Sequence, residues 1–164
     1  MSLAAPHSRH AGGMACDAAP SSLGTVMTLR QWFGLRWRPL TFGEQGERAA
    51  ARFLRRLGYR IVVTRRRLRY GEIDVIAVDQ RTVVFVEVKT RRSAAIRPAL
   101  SVDAVRRQRM TRAAVAFLKS HGLLQKCPAR FDIVEVIWPI DASKPSVEHH
   151  PNAFPAEGQG QFFA

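Results

Sequence analysis

The 164-residue chain is 46% hydrophobic, which suits one globular domain, and no apolar run approaches the roughly 18 residues that a membrane-spanning helix needs. Its formal net charge of +13, nearly all of it between residues 41 and 138, predicts a polyanionic partner, with nucleic acid favoured over an anionic membrane surface. Two distant cysteines, Cys16 and Cys127, form no disulfide framework, which predicts a cytoplasmic protein.

Residues 1–40 are predicted to be a disordered extension separate from the domain, because their first part is rich in Ala, Ser, Gly and Pro without periodicity. Residues 30–40 (RQWFGLRWRPL) mix Trp, Phe and Arg. We favour a short arm packed on the domain for this stretch, and base stacking or a membrane surface are the alternatives.

The first helix is predicted over residues 41–58, with Thr41 and Glu44 as a capping box and Gly58 as the stop. Its apolar face is predicted to hold Ala50, Phe53, Leu54 and Leu57. Glu47 points with this face. Spacing alone leaves two interpretations open for it, an acid at the rim of the face or a third carboxylate of a functional site.

A short strand is predicted at residues 59–63, followed by a basic connection at residues 64–70 (TRRRLRY). Such a run is commonly a solvated loop. Here it leads directly to the next pair of strands, so a phosphate-contacting loop is an equally good interpretation. The arginines concerned are Arg65, Arg66, Arg67 and Arg69.

Residues 71–89 (GEIDVIAVDQRTVVFVEVK) are predicted to form a hairpin, for which we favour a four-residue loop, since Gln-Arg lacks the chemistry of the tightest turns. A loop symmetric about Gln80 and Arg81 places Asp74 opposite Glu87. Side chains alternate along a strand, so Glu87 and Lys89 share a face. Opposed carboxylates repel, and a divalent cation such as Mg²⁺ would neutralise them.

The alternative for this pattern is a chance arrangement with an exposed Glu87–Lys89 ion pair. Against it, residues 83–86 are apolar on both faces, which indicates a central, covered strand. Charges at the end of such a strand are costly to leave uncompensated. The context therefore favours a functional site.

A second basic stretch with Arg91 and Arg92 precedes a long helix capped by Ser101, with Asp103 in its first turn and Gly122 at its end. The last strand is predicted over residues 130–138, with Asp132 in a local salt bridge. A helical crossover makes this strand parallel to its neighbour, giving a mixed four-stranded α/β sheet. The predicted domain is 41–138, and residues 139–164 are predicted to be a loose tail. The apolar stripe of the helix between Ser101 and Gly122 is predicted to hold Val102, Val105, Met110, Ala113, Ala114, Phe117 and Leu118.

The order Glu47, Asp74 and Glu87-x-Lys89 resembles the PD-(D/E)XK core of restriction-endonuclease-like folds. More closely, the blocks GEQGERAAARFLRRLGY, GEIDVIA, VFVEVKTRRS, RRQRM, RFDIVEV and NAF resemble the YraN family, an uncharacterised bacterial group similar to archaeal Holliday junction resolvases. The resemblance covers residues 41–138 and 152–154. This resemblance implies a restriction-endonuclease-like α/β fold.

The resemblance also implies roles for single residues. Asp74, Glu87 and the Val88 carbonyl would bind the metal, and Glu47 would bind it directly or through water. Lys89 would orient or help deprotonate the attacking water and offset transition-state charge. The family often has Asn in the loop before GEID, where this chain has Thr64 and arginines. The expected nucleic-acid contacts are Arg65, Arg66, Arg67, Arg69, Arg91, Arg92, Arg107 and Gln108.

The sequence and this resemblance together predict a Mg²⁺-dependent endonuclease, with Mn²⁺ as a substitute ion. DNA is favoured over RNA, and branched DNA and a homodimer are expected by analogy. The alternative is a non-catalytic nucleic-acid-binding module on a nuclease-like fold. A weaker third interpretation is a membrane-surface protein that uses the Trp/Arg arm.

Overall fold

A computed structural model describes residues 38–93 and 102–158 of the chain. The predictions for residues 1–37, for Ser101 and for residues 159–164 lie outside these ranges. In chain order the described elements are α1 (Phe42–Arg56), β1 (Arg60–Leu68), β2 (Gly71–Asp79), β3 (Thr82–Arg91), α2 (Ala104–Ser120), β4 (Ala129–Ile137) and β5 (Ser146–Phe154).

The strands form one mixed sheet in the order β1-β2-β3-β4-β5, in which only β3 and β4 run parallel. The predicted α/β class and the parallel pair are confirmed, but the sheet has five strands rather than four. The fifth, β5, lies in the segment that was predicted as a loose tail. Its sequence SVEHHPNAF lacks apolar alternation and contains Pro151, which an edge strand tolerates and a central one does not.

The other edge strand also differs from the prediction. Strand β1 continues to Leu68, through most of the run that was predicted as a basic connection. Backbone pairing with β2 extends to Leu68 opposite Gly71, while the arginines of the run are exposed. The exposed side chains of an edge strand need not be apolar, so hydrophobic periodicity did not indicate this extension of β1. The irregularity of this ladder lies between Ile61 and Val63, and Arg65 adopts a φ of +53°.

The sheet is covered on both faces. Helix α1 packs its Ala49, Ala50 and Leu54 against one face, and α2 packs the other face with Met110, Phe117 and Leu118 among its buried residues. Strand β3 contributes to both cores, with Val84 and Val86 on the α1 side and Phe85 on the α2 side. The prediction of a covered central strand is therefore confirmed.

Both helices begin with side-chain caps. Thr41 and Glu44 form the predicted capping box of α1, and Asp103, which was predicted in the first turn of α2, is its N-cap. Leu57 and Val105 were expected on apolar faces but are 52% and 58% exposed. Leu57 is the C-cap of α1 and Val105 lies in the first turn of α2, so both are at helix ends. The other predicted members of the α2 stripe are buried. Neither helix is long and apolar enough to cross a membrane.

Close packing of α1 on β3 depends on Gly46. A Cβ atom at this position would lie 1.8 Å from the Thr90 hydroxyl oxygen, so any larger residue forces the helix and the strand apart. The neighbouring Gly43 has no atom within 4 Å of its Cβ position. Gly46 thus fixes the distance between the start of α1 and the end of β3.

The β2–β3 hairpin has the predicted register but a shorter loop. Asp79 pairs with Thr82, so the loop has two residues rather than the favoured four, and Gln80 adopts a φ of +52°. The predicted four-residue loop and the observed two-residue loop are both centred on Gln80 and Arg81, so the register is the same. The ladder therefore runs to Val75 opposite Val86, and Asp74 and Glu87 stand next in line.

Candidate functional site

A cleft of about 490 Å³ opens where β3 ends beside the first turns of the two helices. It gathers Glu47, Asp74, Glu87, Val88 and Lys89, which were predicted from separate parts of the sequence to share a site. The full lining is Phe42, Gly43, Glu47, Asp74, Glu87, Val88, Lys89, Thr90, Arg91 and Arg106.

Glu87 is the better compensated of the two hairpin carboxylates. Its side chain is 6% exposed, and Arg106 donates to Oε2 from Nη2 at 2.6 Å and from Nε at 3.1 Å. Lys89 Nζ lies 3.1 Å from Oε1 of the same carboxylate. Two cations therefore neutralise this single acid, and its bonds to Arg106 tie β3 to the start of α2.

The Asp74 carboxylate has fewer charge-neutralising contacts than Glu87. Its Oδ2 accepts the backbone N–H of Val88 at 2.8 Å, and Arg106 Nη2 stands 3.9 Å from Oδ1. Burial and the negative charge of Glu87 raise the pKa of Asp74 to about 7, and the Val88 bond and the Arg106 charge offset only part of this rise. The Asp74 carboxylate is thus short of positive charge when ionised.

Glu47 lies on the cleft wall, in contact with a cation from β1. Arg65 Nη2 is 3.3 Å from Glu47 Oε1, and the same guanidinium also pairs with Glu44 and with Glu72, the latter at 3.1 Å. Burial raises the pKa of Glu47, and the Arg65 charge opposes the rise. Arg65, an expected phosphate contact, is thus engaged by three acids.

The other expected nucleic-acid contacts are spread over the surface. Arg66, Arg67, Arg69, Arg92 and Gln108 are exposed, and of the expected set Arg91 lines the cleft. The Arg92 guanidinium stacks on the Phe42 ring at 3.7 Å from its centroid. Arg107 donates to Glu157 at 2.6 Å and to the Val102 carbonyl at 3.0 Å. It therefore connects α2 to the segment before the helix and to the segment after β5.

Arg106 is a member of the cleft that the sequence reasoning did not single out. The signal that could have found it is topological, because the first turn of a crossover helix lies near the carboxyl end of the preceding strand, where ligands bind in α/β sheets. Its position in the first turn of α2 brings it to Glu87.

A second basic surface was predicted only in part, because Arg69 was an expected nucleic-acid contact and Arg112 and Lys119 were not. A groove of about 820 Å³ between the β1–β2 turn and α2 is lined by Arg69, Tyr70, Arg112, Lys119 and nearby residues of α2. Tyr70 is 45% exposed, and the Arg69 guanidinium lies 5.6 Å from its ring centroid. Exposed cations beside an aromatic ring are groups that could contact a phosphate backbone and a base.

Asp132 forms the predicted local salt bridge and belongs to a buried network. Its carboxylate is fully buried and accepts from Arg130 Nε at 3.0 Å and from the Asn152 N–H at 2.9 Å, with His149 Nε2 also at 2.9 Å. Arg130 reaches on to Tyr59 and Asp79. Although burial opposes it, this bonding lowers the pKa of Asp132.

Another group of polar side chains has the spacing of a metal site. Among the residues that the structure describes, Glu135, Glu148 and His150 are the three whose ligand atoms all lie within 4.8 Å of one another. The cleft carboxylates Glu47, Asp74 and Glu87 do not form so tight a group. Glu148 and His150 lie on β5, in the segment that was predicted as a loose tail.

Sequence comparison finds relatives across the domain. The profile of the uncharacterised protein family UPF0102 matches residues 46–136. A UPF0102 protein of Trichlorobacter lovleyi is 44% identical over 114 residues, covering 68% of this chain and 88% of the relative. UPF0102 proteins of Rhodopirellula baltica and Geobacter sulfurreducens are 44% and 43% identical, over 74% and 68% of this chain and 74% and 87% of the relatives. These matches confirm the resemblance carried by the sequence blocks, and the chain belongs to the UPF0102 family.

Proposed function

We propose that this protein is a Mg²⁺-dependent endonuclease with a restriction-endonuclease-like core, which hydrolyses phosphodiester bonds in nucleic acid, with DNA as the expected substrate. The observation that carries the proposal is the convergence of Asp74, Glu87 and Lys89 on one cleft at the end of β3. A buried acid with an upward-shifted pKa beside a second acid and a lysine is typical of a catalytic centre.

The donors of the cleft fit a hard divalent cation. Glu47, Asp74, Glu87 and the Val88 carbonyl offer only oxygen atoms, which is the ligand type that Mg²⁺ prefers. Asp74 and Glu87 would hold the ion with the Val88 carbonyl, and Glu47 would contact it directly or through water. Arg106 already stands between the two acids as a positive charge. Mg²⁺ bound there would act as a Lewis acid and lower the pKa of a coordinated water.

The remaining chemistry is assigned to cationic side chains of the cleft. Lys89 Nζ, held 3.1 Å from Glu87, would orient the attacking water and help to remove its proton. The oxygen of that water would bond to phosphorus while one phosphorus–oxygen bond of the backbone breaks, and the departing backbone oxygen would take up a proton from solvent. Arg106 and Lys89 would both offset the charge that develops on the phosphate oxygens.

Binding of the substrate is assigned to the basic surface. The net charge of +13 attracts a polyanion, and displacement of its counterions makes binding dependent on salt. Arg91 beside the acids and the groove of Arg69, Arg112 and Lys119 offer phosphate contacts on two sides of α2. A homodimer with branched DNA as substrate remains an expectation from the family resemblance.

The test is a cleavage assay with the purified full-length protein. Labelled four-way junction, duplex, single-stranded DNA and structured RNA are each incubated with Mg²⁺, Mn²⁺ or EDTA. Asp74→Ala and Lys89→Ala are the test variants. Asp141→Ala and Lys126→Ala remove the same side chains at exposed positions outside the cleft and serve as matched controls.

Cleavage that requires a metal, fails in both test variants and persists in both controls supports the proposal and identifies the substrate. Loss of at least about 100-fold is expected, in line with removal of a single transition-state contact. Cleavage that survives in Asp74→Ala and Lys89→Ala contradicts the assignment of the site.

A second candidate is a binding module that grips nucleic acid without cutting it. The observation that favours it is Arg106, which already neutralises Glu87 together with Lys89, so the cleft is partly compensated without a metal. Under this candidate, Asp74→Ala retains or strengthens salt-sensitive binding. No form of the protein then cuts any of the four substrates with either metal.

A further inference from the structure

Two acidic side chains face each other across the β4–β5 ladder. Glu135 pairs with Glu148, and His150 pairs with Ile133 two positions along the same face. Like charges directly opposed in an antiparallel pair are destabilising unless a cation lies between them. Within the described part of the chain, Glu148 pairs with His150, and Glu135 has no ion pair at all.

The imidazole of His150 is the second, independent observation. Its Nε2 atom is shielded from solvent and has no hydrogen-bond partner, and it stands 3.5 Å from Glu148 Oε1. A buried polar nitrogen without a partner costs free energy, so such atoms are expected to meet a ligand. His150 belongs to a group of three, since one ligand atom from each of Glu135, Glu148 and His150 lies within 4.8 Å of the other two.

We propose that Glu135, Glu148 and His150 bind a divalent transition-metal ion of the Zn²⁺ type, at a site distinct from the Asp74 cleft. An imidazole with two carboxylates is a mixed ligand set that suits Zn²⁺ better than Mg²⁺, which prefers oxygen alone. Three protein ligands leave the fourth tetrahedral position to water.

Small side-chain movements would close the site. Ligands of one tetrahedral Zn²⁺ ion stand on the order of 3.4 Å apart, since each bond is about 2.0–2.1 Å long. The present separations of up to 4.8 Å exceed this by little more than 1 Å. Glu148 is 58% exposed and free to rotate, whereas His150 is held by the ladder and is 22% exposed. The more rigid imidazole would receive the ion, and Glu148 would swing onto it.

The site borders the cleft without belonging to it. Glu135 stands opposite Lys89 in the parallel β3–β4 ladder, so the two clusters occupy adjacent strands on the same face of the sheet. The proposal concerns only metal binding and does not depend on the proposed nuclease activity.

The experiment measures Zn²⁺ binding to the full chain by competition with a chromophoric chelator. His150→Gln and Glu148→Gln are the test variants, and the second changes an exposed side chain that can be altered without unfolding the sheet. His121→Gln removes an exposed histidine at the end of α2 and is the matched control. Asp74→Asn removes an acid of the cleft and separates the two sites.

We expect wild type to bind one Zn²⁺ equivalent that His150→Gln loses and that Glu148→Gln binds at least about tenfold more weakly, as for disturbed metal sites. His121→Gln and Asp74→Asn should keep this equivalent. Unchanged binding in both test variants overturns the proposal. Loss in Asp74→Asn with retention in His150→Gln also overturns it, because the ion then belongs to the cleft.

Discussion

Asp132 and Asp74 lie on the same sheet, yet their surroundings differ in the number of donors. The fully buried carboxylate of Asp132 accepts from Arg130 and from the Asn152 N–H, with His149 Nε2 2.9 Å from Oδ2. The carboxylate of Asp74 is 15% exposed, accepts one backbone N–H, and has its nearest guanidinium nitrogen at 3.9 Å. The fold supplies the first acid with partners and leaves the second without enough of them.

The pKa values move in opposite directions as a result. Donors to Asp132 outweigh the effect of burial and lower its pKa, whereas burial and Glu87 raise the pKa of Asp74 to about 7. An acid that stabilises the fold is one whose charged form is fully bonded. An acid left short of donors costs stability and is available to a ligand, which is why the comparison supports the cleft as the functional region.

The largest effect is expected from Asp132→Asn. The neutral amide leaves Arg130 with Asp79 as its remaining acid and brings an N–H group toward donors, so buried donors lose their charged acceptor. We expect a loss of about 3–5 kcal/mol in the free energy of unfolding, as for other broken buried pairs. Urea denaturation at pH 7 measures it, with Asp141→Asn, at an exposed position, as the control. A loss no larger than that of the control would show that the network contributes no stability.

Asp74→Asn is expected to increase the free energy of unfolding of the metal-free protein, whereas Asp132→Asn decreases it. The folded pKa of Asp74 is raised from 3.8 to about 7, so the stability associated with its protonated form is present below pH 3.8 and is lost as the pH rises through 7. A shift of about three units corresponds to about 4 kcal/mol, and we expect a gain of about 3 kcal/mol above pH 7 after allowing for residual solvent exposure.

Denaturation of wild type and Asp74→Asn in EDTA at pH 4, 6 and 8 checks this prediction. The difference in unfolding free energy should be small at pH 4, grow through pH 6 and level off above pH 7. A difference that does not vary with pH would contradict the raised pKa and would break the contrast with Asp132.

The contrast also indicates what the sequence could and could not predict. Alternation along β2 and β3 and a symmetric turn were sufficient to oppose Asp74 and Glu87, even though the loop length was wrong. Strand β5 was missed because an edge strand carries no apolar alternation. The contacts of Asp132 with His149 and Asn152 on β5 could therefore not be predicted. The position of Arg106 could not be predicted either, because it depends on how α2 packs.

Separate substitutions of Arg130 and Arg106 compare the side chains that neutralise the two acids. Arg130→Gln removes bonds to Asp132, Asp79 and Tyr59, and we expect it to cost about 2–3 kcal/mol, a value typical of hydrogen bonds to charged groups. Arg106 is 31% exposed and Glu87 keeps Lys89, so Arg106→Gln should cost less than about 1 kcal/mol.

The second readout for Arg106→Gln is the titration of the Asp74 carboxyl group, followed by carbon-13 NMR in metal-free protein. The Arg106 charge lowers the pKa of Asp74, so its removal should move that pKa further upward. Arg130→Gln should leave the Asp74 titration in place. A downward movement in Arg106→Gln would show that Arg106 does not stabilise the ionised acid.

A change of geometry alone, without a change of charge, tests the close packing of α1 on β3. In Gly46→Ala the new methyl group would meet the Thr90 hydroxyl oxygen at 1.8 Å, so α1 must move from β3 at a cost of about 1–3 kcal/mol. Gly43→Ala is the control, since its methyl group meets no atom within 4 Å and should stabilise the helix by up to about 1 kcal/mol. Glu47 moves with α1, and its charge is one of those that raise the pKa of Asp74. That pKa should therefore fall in Gly46→Ala and stay constant in Gly43→Ala, whereas equal titrations in the two variants would place Glu47 outside the electrostatics of the cleft.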